Sequence, residues 1–167
     1  MIIASSISAE SSPLITRMLV SIAIVFVAGS PLTRAQVGNA EKGRGDRARL
    51  VEGVREIAAP GSPGSLAVYA PTANAVVVGN SDGGGQVAVI ASGHLGRGRL
   101  AAFAHDGYFR ADQFKVADTG RLILNAIRWA SGDKPKPRIG LIDVPELQSL
   151  FEREGWPANR TTLDESF

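Results

Sequence analysis

The sequence predicts an α/β domain, on three observations. Two apolar runs, residues 87–91 and 100–104, flank a turn holding Gly93, Gly96 and Gly98, the pattern of a β-hairpin. Residues 120–130 carry apolar side chains on two sides, as a helix buried between layers does. Residues 138–143 form an apolar strand ending in Asp143 and lead into an amphipathic helix, the opening of a βαβ unit.

The 167 residues suffice for one domain with its own core, and 44% of them are apolar. Eighteen basic side chains face 16 acidic ones, so no electrostatic footprint for nucleic acid exists and none is expected as a partner. The chain has no cysteine, which excludes disulfides, thiolate metal sites and a cysteine nucleophile.

The N-terminus has the pattern of an export signal. Arg17 precedes an uncharged apolar run over residues 18–28, which Gly29, Ser30 and Pro31 then break. Thr33-Arg34-Ala35 offers small residues for a signal peptidase, so residues 1–35 are expected to be a signal peptide and the protein secreted or periplasmic. The alternative is a membrane anchor through residues 18–28, but a span needs roughly 20 apolar residues.

From there the elements follow in order. Residues 36–45 are polar and glycine-bearing, a flexible lead-in to an α/β domain over residues 46–156. Asp46 is placed to cap a helix whose apolar face is Leu50, Val51, Val54, Ile57 and Ala58. Pro60, Gly61, Pro63 and Gly64 stop it. Residues 65–69 and 75–78 read as strands, the second apolar on both faces. The hairpin follows, with residues 93–99 as its exposed loop and Gly98 as a candidate for positive φ. Residues 110–117 lack a period and read as a loop. Asp118 or Thr119 caps the helix over 120–130, and Gly132 ends it. Pro145 suits the first turn of the last helix, Gly155 its C-terminal stop, and Trp156 is placed to fold back on its last turn. No apolar run in residues 157–167 supplies a second parallel strand. They are expected to be a disordered or extended tail, leaving one edge of the 139–142 strand unpaired.

Gly96-Arg97-Gly98-Arg99-Leu100, then His105-Asp106-Gly107-Tyr108, then Leu122-Ile123-Leu124-Asn125-Ala126-Ile127-Arg128-Trp129-Ala130 resemble a segment of trehalose-utilisation-type proteins, which have a class I glutamine-amidotransferase-like fold. The likeness is closer to the N-terminal domain of proteins with a downstream enhancin-like metallopeptidase domain. Among them are the channel-associated factors of the cold-sensing TRP channel, where a helix like residues 50–58 also leads into a motif like Pro60-Gly61-Ser62-Pro63-Gly64-Ser65-Leu66. The resemblance covers about residues 47–155. It implies a three-layer, flavodoxin-like sheet with a β-hairpin, permuted in order and incomplete. It implies no activity, since neither a cysteine nucleophile nor a His-Glu-x-x-His zinc motif is present.

Candidate sites are few. Gly93 to Arg99 offers backbone N–H groups and two arginines, but a phosphate loop leads into a helix and this turn leads into a strand. His105 and Asp106 are the one adjoining histidine and carboxylate, and they are the weak candidates for an acid–base pair. A hydrolase also needs an activated serine. Ser92 is the nearest, and there is no Gly-x-Ser-x-Gly elbow. A metal set of His94 and His105 with Asp82 or Asp106 follows no ligand spacing, so no metal and no cofactor is expected. Phe103, Tyr108 and Trp129 are expected in the core rather than on a sugar-binding surface, and Asn159-Arg160-Thr161 fits a glycosylation acceptor. The sequence therefore predicts a non-catalytic accessory or structural module of an exported protein, with another polypeptide or a surface glycan as partner and membrane contact only through the signal segment. The alternative is a small hydrolase-like enzyme built on His105 and Asp106.

Overall fold

The computed structural model describes residues 33–59, 64–81 and 84–161. The greater part of the predicted signal peptide, the 18–28 anchor alternative, the turn at 60–63, Asp82 and residues 162–167 lie outside the described residues. No helix among the described residues is long and apolar enough to cross a membrane.

Helix α1 spans Thr33–Leu50. The helix expected from residue 46 to 58 thus begins earlier and ends earlier, and residues 36–45, expected as a flexible lead-in, belong to it. Gly43, Asp46 and Leu50 are buried at i, i+3 and i+7, the spacing of one helical face, so Asp46 sits inside the helix and not at its cap. Gly43 lies against the first strand: a Cβ there would overlap the amide end of the Asn74 side chain, which would have to turn aside. Residues 55–58, beyond the helix and the turn that follows it, run beside the entry to the second helix. The Arg55 N–H donates to Asp118 Oδ2 at 2.9 Å, the Ala58 N–H to Thr119 Oγ1 at 2.7 Å, and Ile57 bridges Ala117.

Strands β1 (Asn74–Asn80), β2 (Gln86–Leu95) and β3 (Gly98–Phe103) form an antiparallel sheet in that order. The hairpin is as predicted in its pairing: β2 and β3 run antiparallel with Ile90 opposite Phe103 and Leu95 opposite Gly98. Its loop is shorter than the expected 93–99. Only Gly96 and Arg97 turn, so Gly93, His94, Gly98 and Arg99 are strand residues. Positive φ falls on Gly96 (57°) and not on Gly98, as a two-residue turn with glycine first requires. Register shifts on either side of Val77 bend β1. The strand expected over 65–69 is reduced to one bridge, Leu66 opposite Ala88.

After β3 a 3₁₀ segment, Asp106–Phe109, leads to turns and then to α2 (Thr119–Ala130). Asp118 takes the N-cap position but makes no side-chain cap bond, because its carboxylate is occupied by Arg55. α2 is buried between layers, as its composition predicts. Leu122, Ala126 and Trp129 pack with Leu50, Val76 and Ile90 in one core; Ile123, Leu124 and Ile127 pack with Leu141, Leu147 and Phe151 in another.

β4 (Ile139–Leu141), α3 (Leu147–Arg153) and β5 (Ala158–Arg160) complete a βαβ unit. β5 pairs parallel with β4, Gly140 opposite Asn159. This corrects the expectation that residues 157–167 supply no parallel strand. The reason is length: three residues with partly exposed side chains suffice for the pairing, so no apolar run marks it. Gly155 (φ 68°) stops α3, and Trp156 stacks on Phe151 with ring centroids 6.1 Å apart. The two sheets are separate, so the described residues show a mixed α/β arrangement and not one continuous three-layer sheet.

Candidate functional site

The polar centre of the molecule lies where α1, the hairpin and α2 meet. Strand alternation and cross-strand pairing put Ser92 and His94 of β2 and Arg99 of β3 on the sheet face toward α2. The buried face of α1 brings Asp46 against them, and Trp129 projects from the last turn of α2. His94 Nε2–H donates to Asp46 Oδ2 at 2.6 Å, and the Trp129 indole N–H donates to Asp46 Oδ1 at 2.7 Å. Asp46 and His94 expose only 11% and 12% of their side chains, and Trp129 is buried. The imidazole meets the indole edge-on with centroids 5.5 Å apart. The Arg99 guanidinium lies over the indole, 5.6 Å from its centroid, and also donates to the Trp129 carbonyl.

This arrangement fixes the charge state of the carboxylate. Burial works to raise the Asp46 pKa, but hydrogen bonds from His94 and Trp129, with the charge interactions of His94 and Arg99, outweigh it and hold the group below its ordinary 3.8. Both carboxylate oxygens are engaged by donors from different elements, so the group joins three parts of the fold. Ser92 lies two residues before His94 on the same strand face, but its hydroxyl is buried and has no hydrogen-bond partner. A serine activated by a histidine needs that contact, and it is not made here.

His105, the predicted candidate, closes β3. Its Nδ1 accepts the Gly107 N–H at 2.8 Å and caps the 3₁₀ segment. Asp106 Oδ1 lies 3.1 Å from the same nitrogen. One nitrogen cannot accept from the amide and donate to the carboxylate together. Gly107 is buried, and its amide would be left unpaired if Nδ1 carried the proton, so the capping bond prevails. Phe103, Tyr108 and Phe109 pack around this corner, with the Phe103 ring centroid 5.9 Å from that of Tyr108 and 4.9 Å from that of Phe109.

The histidines are therefore held apart in different surroundings. Among the described residues no group of three or more histidine, aspartate or glutamate side chains is placed to hold a metal ion. Two concavities lie elsewhere. A shallow groove of about 1010 Å³ follows the outer side of α2 and α3, with Phe114, Leu124 and Leu150 on its floor and Lys115, Arg121, Arg153, Glu52 and Asp118 among its charged walls. A smaller pocket of about 170 Å³ lies between the end of α2, β4 and α3.

The family model described as "TRPM8, N-terminal domain", that of the TRP channel-associated factors, matches residues 24–167. The chain belongs to this family. The match spans every described element, hairpin and βαβ unit alike, and agrees with the channel-associated-factor part of the resemblance read from the sequence. Neither the curated proteins nor the solved structures give a match. Sequence reasoning did not find the centre of this family member's polar network. Asp46 read as a cap and His94 as a loop residue. No sequence pattern marks the pair: Gly43 and Asp46 are not apolar, and it is the hairpin register that places His94 opposite Arg99.

Proposed function

We propose that this chain is a non-catalytic accessory module that acts by binding another polypeptide. The observation that carries the reading is the commitment of both histidines to internal bonds, His94 to Asp46 and His105 to the Gly107 amide. The family supports it, since its description names a TRP channel, a protein partner, and channel-associated factors are regulatory proteins. In this reading the module is exported with residues 1–35 as its leader. Its protein context in this reading is that of proteins that carry an enhancin-like metallopeptidase domain downstream. A panel of ester, amide and glycoside substrates tests the non-catalytic assignment: the wild type and His105→Ala should give the same background rate. Turnover by the wild type that disappears in His105→Ala would overturn it. N-terminal sequencing of exported protein tests the leader; a chain beginning at Met1 in a membrane fraction would show an anchor instead.

A further inference from the structure

The parallel pair β4–β5 has one open side, and hydrogen-bond geometry identifies it. The Ile139 N–H donates to the Pro157 carbonyl at 3.2 Å, and the Leu141 carbonyl accepts the Thr161 N–H at 3.0 Å. Ile139 and Leu141 thus direct their backbone groups at β5. Successive residues of a strand direct them to opposite sides, so the N–H and C=O of Gly140 point away from β5. Among the described residues nothing pairs with them. Gly140 is exposed, and the space where a Cβ would stand is taken by the Thr161 side chain, whose Cγ2 would lie 3.1 Å from it.

The surroundings of that edge define what fits it. The 170 Å³ pocket is lined by Ile127, Ala130, Ile139, Leu141, Val144 and Phe151 among others, and by no residue of β5, so it opens on the free side of β4. It offers apolar volume for one or two aliphatic side chains. At the entry to β4, Lys134, Lys136 and Arg138 are exposed, and none of them pairs with a carboxylate among the described residues. Three cations on the approach repel a basic strand and attract an acidic one.

We propose that the free edge of β4 is a strand-addition site. Its occupant is an extended segment of a partner polypeptide, apolar at alternate positions, with a carboxylate that meets Arg138. Backbone bonds to Gly140 supply the register, the pocket takes the apolar side chains, and the cationic approach selects the charge. The site rests on the polypeptide-binding reading above and gives it a place and a ligand chemistry.

The test uses the full chain, ¹⁵N-labelled, and a capped peptide Glu-Val-Thr-Val-Thr-Val. Amide shifts are expected at residues 138–142 and in Ile127, Ala130 and Ser131. N-methylation of one alternate set of peptide amides should weaken binding about tenfold, the equivalent of one or two hydrogen bonds, while methylation of the other set leaves it nearly unchanged. Arg138→Glu should weaken the glutamate peptide and favour its lysine counterpart. The proposal is overturned by absence of binding, by equal effects of the two methylated sets, or by shifts confined to the α2–α3 groove. Self-association removed by Arg138→Glu would make a second copy the occupant and also overturn it. None of these results bears on the non-catalytic assignment, which the substrate panel decides separately.

Discussion

Replacing Asp46 with alanine removes the acceptor that joins α1, β2 and α2. Two hydrogen bonds are lost, from His94 Nε2–H at 2.6 Å and from the Trp129 indole N–H at 2.7 Å. Bonds to a charged group contribute about 1.5–3 kcal/mol each, so the low end alone gives about 3 kcal/mol. Solvent screening reduces this little, because the two paired side chains are only 11% and 12% exposed. The indole N–H, on a residue 1% exposed, is left without a partner, which places the loss with those of other broken buried pairs, about 3–5 kcal/mol. Against a domain stability of about 5–15 kcal/mol this is a large fraction. Asp46→Asn keeps one acceptor oxygen and should lose about half as much. Urea unfolding followed by far-ultraviolet circular dichroism measures both variants. A loss under about 1 kcal/mol for Asp46→Ala would refute the claim that this carboxylate joins the three elements.

Further outcomes follow from the same geometry. Because the folded-state pKa of Asp46 is held below its ordinary 3.8, its contribution is present above that pH and is lost as pH falls through the folded value; an acid titration of stability should show this loss, and Asp46→Asn should remove it. Gly96→Val should destabilise the hairpin by about 1–2 kcal/mol, since φ at Gly96 is 57°, and equilibrium unfolding would show no change if the turn does not need that conformation. Ser92→Ala removes a buried hydroxyl with no partner and should be neutral or stabilising; a loss above about 1 kcal/mol would mean the hydroxyl is bonded. His105→Ala removes the cap of the 3₁₀ segment and should cost about 1 kcal/mol in the same unfolding assay.

The parts legible in the sequence were those where one side of an element is strongly apolar. The hairpin, α2 and the strand-to-helix step into α3 follow from apolar runs and from Gly132, Pro145 and Gly155. What was illegible has identifiable causes. α1 carries Gly38, Gly43 and Gly45, which read as a flexible segment by propensity, yet Gly43 is where the helix meets Asn74, so packing overrides propensity. Asp118 and Thr119 have the chemistry of helix caps, but their oxygens bind the amides of Arg55 and Ala58, a choice only tertiary structure makes. β5 is three residues long and two of them are exposed, so no pattern announces it. The Asp46–His94 pair joins residues 48 apart in sequence, and spacing rules see only local neighbours.

Imidazole ¹⁵N resonances of the full chain in mildly alkaline buffer test most directly whether both histidines are committed to the fold. The His94 Nε2–H should exchange slowly and be lost as a protected signal in Asp46→Ala. The His105 ring should carry its proton on Nε2, with Nδ1 as a bare acceptor. A rapidly exchanging His94 Nε2–H, together with a His105 Nδ1–H paired to Asp106, would show that neither histidine is committed to the fold and restore the histidine–aspartate pair as a candidate for acid–base chemistry.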